Sequence, residues 1–285
     1  EFNIDTKVYS QKEFKEIGHS GIEQFGAISY KPGFAINPLK FVLGLAKIAK
    51  NLGVKIYEKS PVIKIEKIEG RYNIITSKGS VLTNKVVIAS NGFYRDDLVP
   101  KLNNRILPAI SNIIVTRPLT ETEIKAHHFK THNPILNSRK LLYYYRLLKD
   151  NRFLFGARGD LVGSNNSALK MANKMEREMK NIFPNWSHVE IDYKWRGLVA
   201  MTNKLSPSIG KLDEDEIYYS FGYHANGVNT APWAGKELAN LMLGYNSKNM
   251  QISKIYLGLP KKFIFPSLRL VYLKLAYMYY SLIDH

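Results

Sequence analysis

The sequence predicts a mixed α/β fold, in which part of a parallel α/β layer is interleaved with an antiparallel sheet region. Three observations predict it. Residues 37–58 carry a helical pattern that runs straight into a β-type segment, the second half of a βαβ crossover. Val86-Val87-Ile88-Ala89 is a continuous apolar run closing on Ser90-Asn91-Gly92, which suits a parallel strand buried on both faces. Residues 106–160 then carry several β-like runs in succession.

Residues 1–32 are mixed, with a short helix expected at Gln11–Ile17 and bends at Gly18, Gly21 and Gly26. The first clear helix starts at Asn37, a good N-cap, with Pro38 at the first helical position. Leu39, Val42, Leu43, Ala46 and Ala49 recur at helical spacing, and Gly53 stops the helix. Val54–Glu58 follows as a strand. A three-strand meander is expected next: Val62–Glu66, Tyr72–Thr76 and Ser80–Thr83, turned at Glu69-Gly70 and Lys78-Gly79. Beyond the apolar run at 86–89, β-like runs occupy Ser111–Thr116, Leu141–Leu148, Arg152–Phe155 and Val189–Val199. Ala168–Ile182 reads as a helix whose Met171, Met175 and Met179 stripe is core packing. Ile217–Ser220 is a short strand before Gly222, and Thr230–Leu243 a helix with Pro232 in its first turn. The aromatic tail, Phe263–Ile283, reads as a terminal helix packed on the body. A membrane-surface helix is the weaker reading, and Arg269 and Lys274 oppose a span.

Composition narrows the function classes. The chain is 285 residues long and 45% hydrophobic, enough for a sizeable core. It has no cysteine, which excludes disulfides, cysteine-based zinc sites, a cysteine nucleophile and a cysteinyl link to a cofactor, and is compatible with a reducing cytoplasm. The formal net charge of +17 would suit a nucleic-acid or anionic-membrane binder. The basic residues are spread without a long Lys/Arg block, so a composition rich in Lys, Asn, Ile and Tyr is the preferred reading and no nucleic-acid partner is expected. No secretory signal is visible at Glu1-Phe2-Asn3-Ile4-Asp5, and the expected location is cytoplasmic.

A family likeness rests on motifs in a fixed order. These are Tyr30-x-Pro32-Gly33, Asn37-Pro38, the helix ending at Gly53-Val54, Glu58-x-Ser60-Pro61-Val62 with Ile65, and Val87–Gly92. Tyr145-Arg146 with Phe155-Gly156-x-Arg158, then Trp195-Arg196-Gly197, Pro207-x-Ile209-Gly210 and Gly222-x-x-x-Asn226-Gly227-Val228, complete the set. Each motif is weak alone. Together, over about residues 20 to 245, they resemble the FAD-dependent D-amino-acid oxidase / glycine oxidase superfamily, most closely its gamma-glutamylputrescine oxidoreductase-like branch. The resemblance implies a partial FAD-binding Rossmann-like domain at 33–107 and 204–245. It also implies an antiparallel-sheet substrate domain at 1–32 and 108–203, with a helical tail at 246–285. The implied activity is oxidation of a C–N bond in a small amine or amino acid by hydride transfer to flavin.

The sequence departs from that family at one point. No G-x-G-x-x-G turn occurs in it, and Gly18-His19-Ser20-Gly21 is no substitute because no strand leads into it. With the orphan α-then-β unit at 37 and the absent initiator Met, this predicts an N-terminally truncated fragment. The alternative is a flavin-free binding protein that keeps the fold.

The resemblance places Gly222–Asn229 beside the flavin ring, with Gly222, Asn226, Gly227, Val228 and Asn229 as cofactor contacts. A helix N-terminus there would stabilise the anionic reduced ring; an ordinary strand–loop–helix connection is the competing reading. It also implies that Val62 offers backbone groups to the adenine. Ser90, Asn91 and Gly92 would lie near the dinucleotide, at the carboxyl end of a parallel strand. Arg158, following a strand and flanked by glycines, is the first substrate-binding candidate, since Arg grips carboxylates through two parallel hydrogen bonds. Pairing with Asp160 is the equal alternative. Alternation puts Tyr144 and Arg146 on one face and Tyr145 on the other, so Tyr144 and Arg146 join Arg158 as candidates. His224 is a weak catalytic candidate, and a simple loop histidine is as good a reading. His127, His128 and His132 read as a solvated loop rather than a metal site, and no metal is expected.

Overall fold

The computed structural model describes residues 4–31, 33–245 and 252–284; Pro32 of the Tyr30–Gly33 motif and residues 246–251 of the tail lie outside the described residues. The chain opens with β1 (Asp5–Ser10), α1 (Gln11–Ile17), β2 (Gly26–Lys31) and α2 (Pro38–Asn51). The strands β3 (Val62–Ile68), β4 (Arg71–Thr76), β5 (Gly79–Thr83), β6 (Val86–Ile88) and β7 (Leu107–Pro118) follow. Next come α3 (Glu121–Ala126), β8 (Ile135–Leu136), β9 (Tyr143–Leu147), β10 (Arg152–Arg158) and α4 (Asn165–Ile182). The chain ends with β11 (Ile191–Met201), β12 (Ser208–Lys211), β13 (Ile217–Phe221), α5 (Gly227–Met242) and α6 (Arg269–Ile283). Two compact units result: Glu1–Ile36, Ile110–Gly197 and Leu273–His285 form the first, and Asn37–Ala109 with Leu198–Tyr272 the second.

The first unit is built on a five-stranded sheet in the order β11-β7-β10-β9-β8, with β10 antiparallel to both β7 and β9. One sheet face is apolar. Phe153, Phe155, Ala157, Tyr143, Tyr145 and Leu147 pack there with Met171, Met175, Met179 and Ile182 of α4, and with Phe183 and Trp186 beyond it. The methionine stripe is therefore core, as its spacing predicts. Residues 5–31, in a stretch of mixed sequence pattern, form a hairpin of β1 and β2 around α1. Helix α1 starts in a capping box: Ser10 accepts from the Glu13 N–H, and the Glu13 carboxylate from the Ser10 N–H.

In the second unit, β3, β4 and β5 form the expected meander, with a bulge between Val62 and Lys64. A separate sheet has the order β12-β13-β6, and β6 runs parallel to β13. Two expectations fail here. No strand forms at Val54–Glu58. Extended backbone needs a neighbour for its N–H and C=O groups, and among the described residues it has no ladder partner. The apolar run at 86–89 is buried on one face only. Val86 and Ile88 are buried and Val87 is 42% exposed, because Val87 alternates to the side opposite the core. Helix α2 has its expected Asn37 cap yet buries no residue, and Leu39, Val42, Leu43 and Ile48 stay exposed.

The tail forms α6, whose end is held by Asp284: its carboxylate accepts from the Lys140 N–H at 2.6 Å and the Leu141 N–H at 2.7 Å. Helix α6 itself buries no residue, and Leu270, Leu275, Met278 and Leu282 stay exposed, so the packed reading of the tail holds only at this terminal anchor. Among the described residues no helix is long and apolar enough to cross a membrane.

Candidate functional site

The predicted residues fall into two groups, one in each unit. In the second unit the parallel register pairs Tyr219 with Ile88, so the carboxyl ends of β6 and β13 emerge side by side. Ligands bind at such ends in open α/β sheets. Ser90 is exposed there and Gly92 buried, where a side chain's Cβ would meet the Leu198 Cβ at 3.0 Å. Asn91 ties the two ends together, its Oδ1 accepting from the Gly222 N–H at 2.9 Å.

Gly222 sits at φ +79°, where an added Cβ would also lie 2.6 Å from the Thr202 Cγ2. Both facts demand glycine. His224 and Ala225 follow in the left-handed region, at φ 49° and 74°. His224 Nε2 meets the Thr202 hydroxyl at 3.2 Å. The loop then enters α5 at Asn226, which caps the helix without a side-chain hydrogen bond. The helix starts at Gly227, three residues before the pattern suggested, and Pro232 lies inside it rather than in its first turn. The N–H groups of Gly227 and Val228 occupy the first turn, where a helix offers no internal acceptor. An uncapped helix start beside two parallel strand ends fits an anionic or electron-rich ring, so these residues suit a flavin. Val62 opens β3 beside its bulge, and its carbonyl accepts a long 3.5 Å bond from Arg95.

In the first unit, register decides which side chains share a face. Gly156 lies opposite both Tyr144 and Ile113, Leu154 opposite Arg146, and Arg158 opposite Ser111. Opposed residues in an antiparallel pair project to one side, so Tyr144, Arg146 and Arg158 are brought to the face opposite the apolar core. Tyr145 points into that core and meets His19 Nε2 at 3.1 Å. The Tyr144 ring lies over Gly156, and its hydroxyl is 2.7 Å from Ser111 Oγ. Burial raises the Tyr144 phenol pKa; the Ser111 bond and the Arg158 charge oppose it.

Arg158 does not take the Asp160 partner that sequence proximity offers. Asp160 Oδ1 accepts from the N–H groups of Val162 and Gly163, at 3.0 and 3.2 Å. Its Oδ2 accepts from the Ser167 hydroxyl at 3.2 Å and Arg196 Nη1 at 3.3 Å. Arg158 is left without an ion-pair partner among the described residues.

Two contributors to this face escaped the sequence reading. From the sequence, Ser111 reads only as part of a strand. Tyr277 comes from α6, and its buried hydroxyl has no hydrogen-bond partner among the described residues. Burial raises the Tyr277 phenol pKa, opposed by the Arg158 charge, which places the two groups in electrostatic reach. No local pattern marks Tyr277 among the aromatic residues of the tail.

Of the histidines of 127–132, His128 is exposed as expected, while His127 and His132 make structural contacts. His127 is buried rather than solvated, packs on Phe183 and Trp186, and accepts from the Asn185 N–H at 3.2 Å. His132 Nδ1 is 3.0 Å from the Leu147 carbonyl. A cleft of about 340 Å³ between α4, β7 and β11 is lined by Asn112, Leu169, Met175 and Trp195, and none of the predicted site residues line it.

Comparison with known proteins identifies the family. The family description "FAD dependent oxidoreductase" (DAO) matches residues 1–241. A probable oxidoreductase OrdL of Haemophilus influenzae is 33% identical over 233 residues, 78% of this chain and 52% of that protein. The gamma-glutamylputrescine oxidoreductase of Escherichia coli is 30% identical over 262 residues, 91% of this chain and 59% of that protein. The crystal structure of a Bacillus cereus glycine oxidase superposes with a TM-score of 0.68 at 22% identity, covering 88% of this chain and 68% of that one. The chain thus spans about half the length of the curated relatives it matches. With a family match over residues 1–241 and a relative 33% identical over 78% of this chain, the chain belongs to the FAD dependent oxidoreductase (DAO) family.

Proposed function

We propose that this chain serves the FAD-dependent oxidation of a C–N bond in an amine or amino acid that carries a carboxylate. The observation behind the carboxylate is Arg158, which has no ion-pair partner among the described residues. Its near neighbour Asp160 is saturated by Arg196, Ser167 and two backbone N–H groups. A half-buried guanidinium without a counter-charge among the described residues, on a face shared with Tyr144, is poised for a substrate anion.

Bound FAD supplies the acceptor for the hydride equivalent leaving the carbon that bears the nitrogen. The chain's own residues bind and orient. Arg158 holds the carboxylate through two parallel hydrogen bonds. Tyr144, fixed by Ser111 and by its seat over Gly156, forms the neighbouring wall. Asn91 and Gly222 hold the loop from which the N–H groups of Gly227 and Val228, at the start of α5, would stabilise negative charge on the ring; Asn229 follows them, its N–H donating to the Asn226 carbonyl. His224, engaged with Thr202, shapes that loop. Val62, Ser90 and Gly92 are assigned to the dinucleotide. Residues 33–107 and 204–245 carry the cofactor-binding part, and 1–32 with 108–203 the substrate part.

The test is purification of the full-length protein. Flavin that copurifies, and whose visible absorption is bleached anaerobically by a carboxylate-bearing amine, supports the reading. A colourless protein that cannot be loaded with FAD sinks it.

A further inference from the structure

We infer that the substrate carries two acidic groups, one held by Arg158 and the other by Arg146; this rests on the substrate-binding reading of that same face. Arg146 stands on the side of the sheet that bears Tyr144 and Arg158, because it lies opposite Leu154 in the register. Its Nε is buried without an acceptor among the described residues. Like Arg158, it has no carboxylate partner among them. A buried N–H without an acceptor costs about 1–3 kcal/mol, and more on a charged group, so an acceptor brought by a ligand is favoured there.

The two arginines flank Tyr144 and Gly156. From Leu154, opposite Arg146, to Arg158 is four residues of β10, a backbone span of about 13 Å at the usual strand rise. The reach of two long side chains closes much of that span, which suits acidic groups separated by a few bonds. Two like charges on one face repel each other, and a single monoanion relieves only one of them. A diacid relieves both and leaves its middle beside Tyr144. The buried Tyr277 hydroxyl, within reach of the Arg158 charge, offers a further donor at that end.

The experiment measures binding rather than turnover. Full-length holoprotein is titrated with succinate, glutarate and adipate, and with propionate, butyrate and valerate, by thermal shift and by competition against the oxidised amine. At least one diacid should bind about tenfold or more tighter than its matched monoacid, the discrimination expected of one charged hydrogen-bonded contact. Arg146→Gln should bring diacid affinity down to that of the monoacid, whereas Arg158→Gln should weaken both classes. Diacids that bind no better than monoacids to the unaltered protein overturn the inference, whether or not the variants fold. So does a diacid preference that survives Arg146→Gln. If monoacids bind and the flavin is present, failure here leaves the proposed function standing. If no acid binds and no flavin is held, it is the proposed function that falls.

Discussion

Gly156→Ala would place a methyl carbon 2.0 Å from Cε2 and 2.1 Å from Cζ of Tyr144. The backbone cannot yield, since Gly156 is paired to Ile113 on one side and Tyr144 on the other, inside the sheet. The ring must swing away. That forfeits the 2.7 Å bond to Ser111, worth about 1 kcal/mol, and adds an overpacking cost of about 1–3 kcal/mol. Together the loss is about 2–4 kcal/mol, a fall in Tm of roughly 3–7 °C for a chain of this size. Equilibrium urea unfolding of the full-length protein measures it. The Tyr144→Ala background isolates the cause: there the alanine has nothing to strike, so the double variant should be no less stable than Tyr144→Ala alone. Additive losses would show that the ring does not sit over Gly156, and with it the placement of Tyr144 on the substrate face would fall.

Three further outcomes follow from the same structure. His19 is buried, and burial pushes its pKa down from 6.5 to about 4. The unfolded chain therefore binds a proton that the folded one refuses. The contribution, roughly 3 kcal/mol, is full above pH 6.5 and is lost as pH falls toward 4. Comparing unfolding free energies of the wild type and His19→Gln across that window should show the extra slope only in the wild type; parallel profiles would refute it. Gly222→Ala forces an L-residue to φ +79° against the Thr202 methyl and should cost about 1–2 kcal/mol and much of the bound flavin, read as the ratio of visible to ultraviolet absorption. Adding Thr202→Ser should recover part of that flavin, and no recovery would count against the contact. Glu123→Gln breaks a network in which the carboxylate takes Arg117 at 2.6 and 2.9 Å, His188 at 2.7 Å and the Thr120 N–H at 2.7 Å. It should cost about 2–3 kcal/mol in denaturant unfolding, and a loss below about 0.5 kcal/mol would contradict the network's role.

Local chemistry carried much of the fold. Asn37 and Pro38 start α2 where capping rules put them, and the glycine turns at 70 and 79 divide the meander as expected. What failed depended on distant partners. Val54–Glu58 has strand-forming residues but no neighbour among the described residues. Helix α5 begins earlier than its hydrophobic period suggests because the left-handed pair His224-Ala225 sets the turn, and that conformation leaves no mark in the apolar pattern. The site shows the same divide. Alternation alone put Tyr144 and Arg146 on one face and Tyr145 on the other, and the register agrees. Whether Arg158 has an ion-pair partner among the described residues could not be read locally. It depended on Arg196, 36 residues from Asp160, taking that carboxylate first. Tyr277 was out of reach for the same reason: only the Asp284 anchor at Lys140 and Leu141 shows where α6 ends.

The most direct measurement compares Arg158→Gln with the unaltered full-length holoprotein under anaerobic reduction. The flavin's visible absorption is followed with paired amines that differ only in carrying a carboxylate. An anchor at Arg158 predicts that the concentration for half-maximal bleaching rises about tenfold or more for the carboxylate-bearing amine, while its neutral partner shifts little. Equal losses for both amines would contradict it and return Arg158 to a purely structural role.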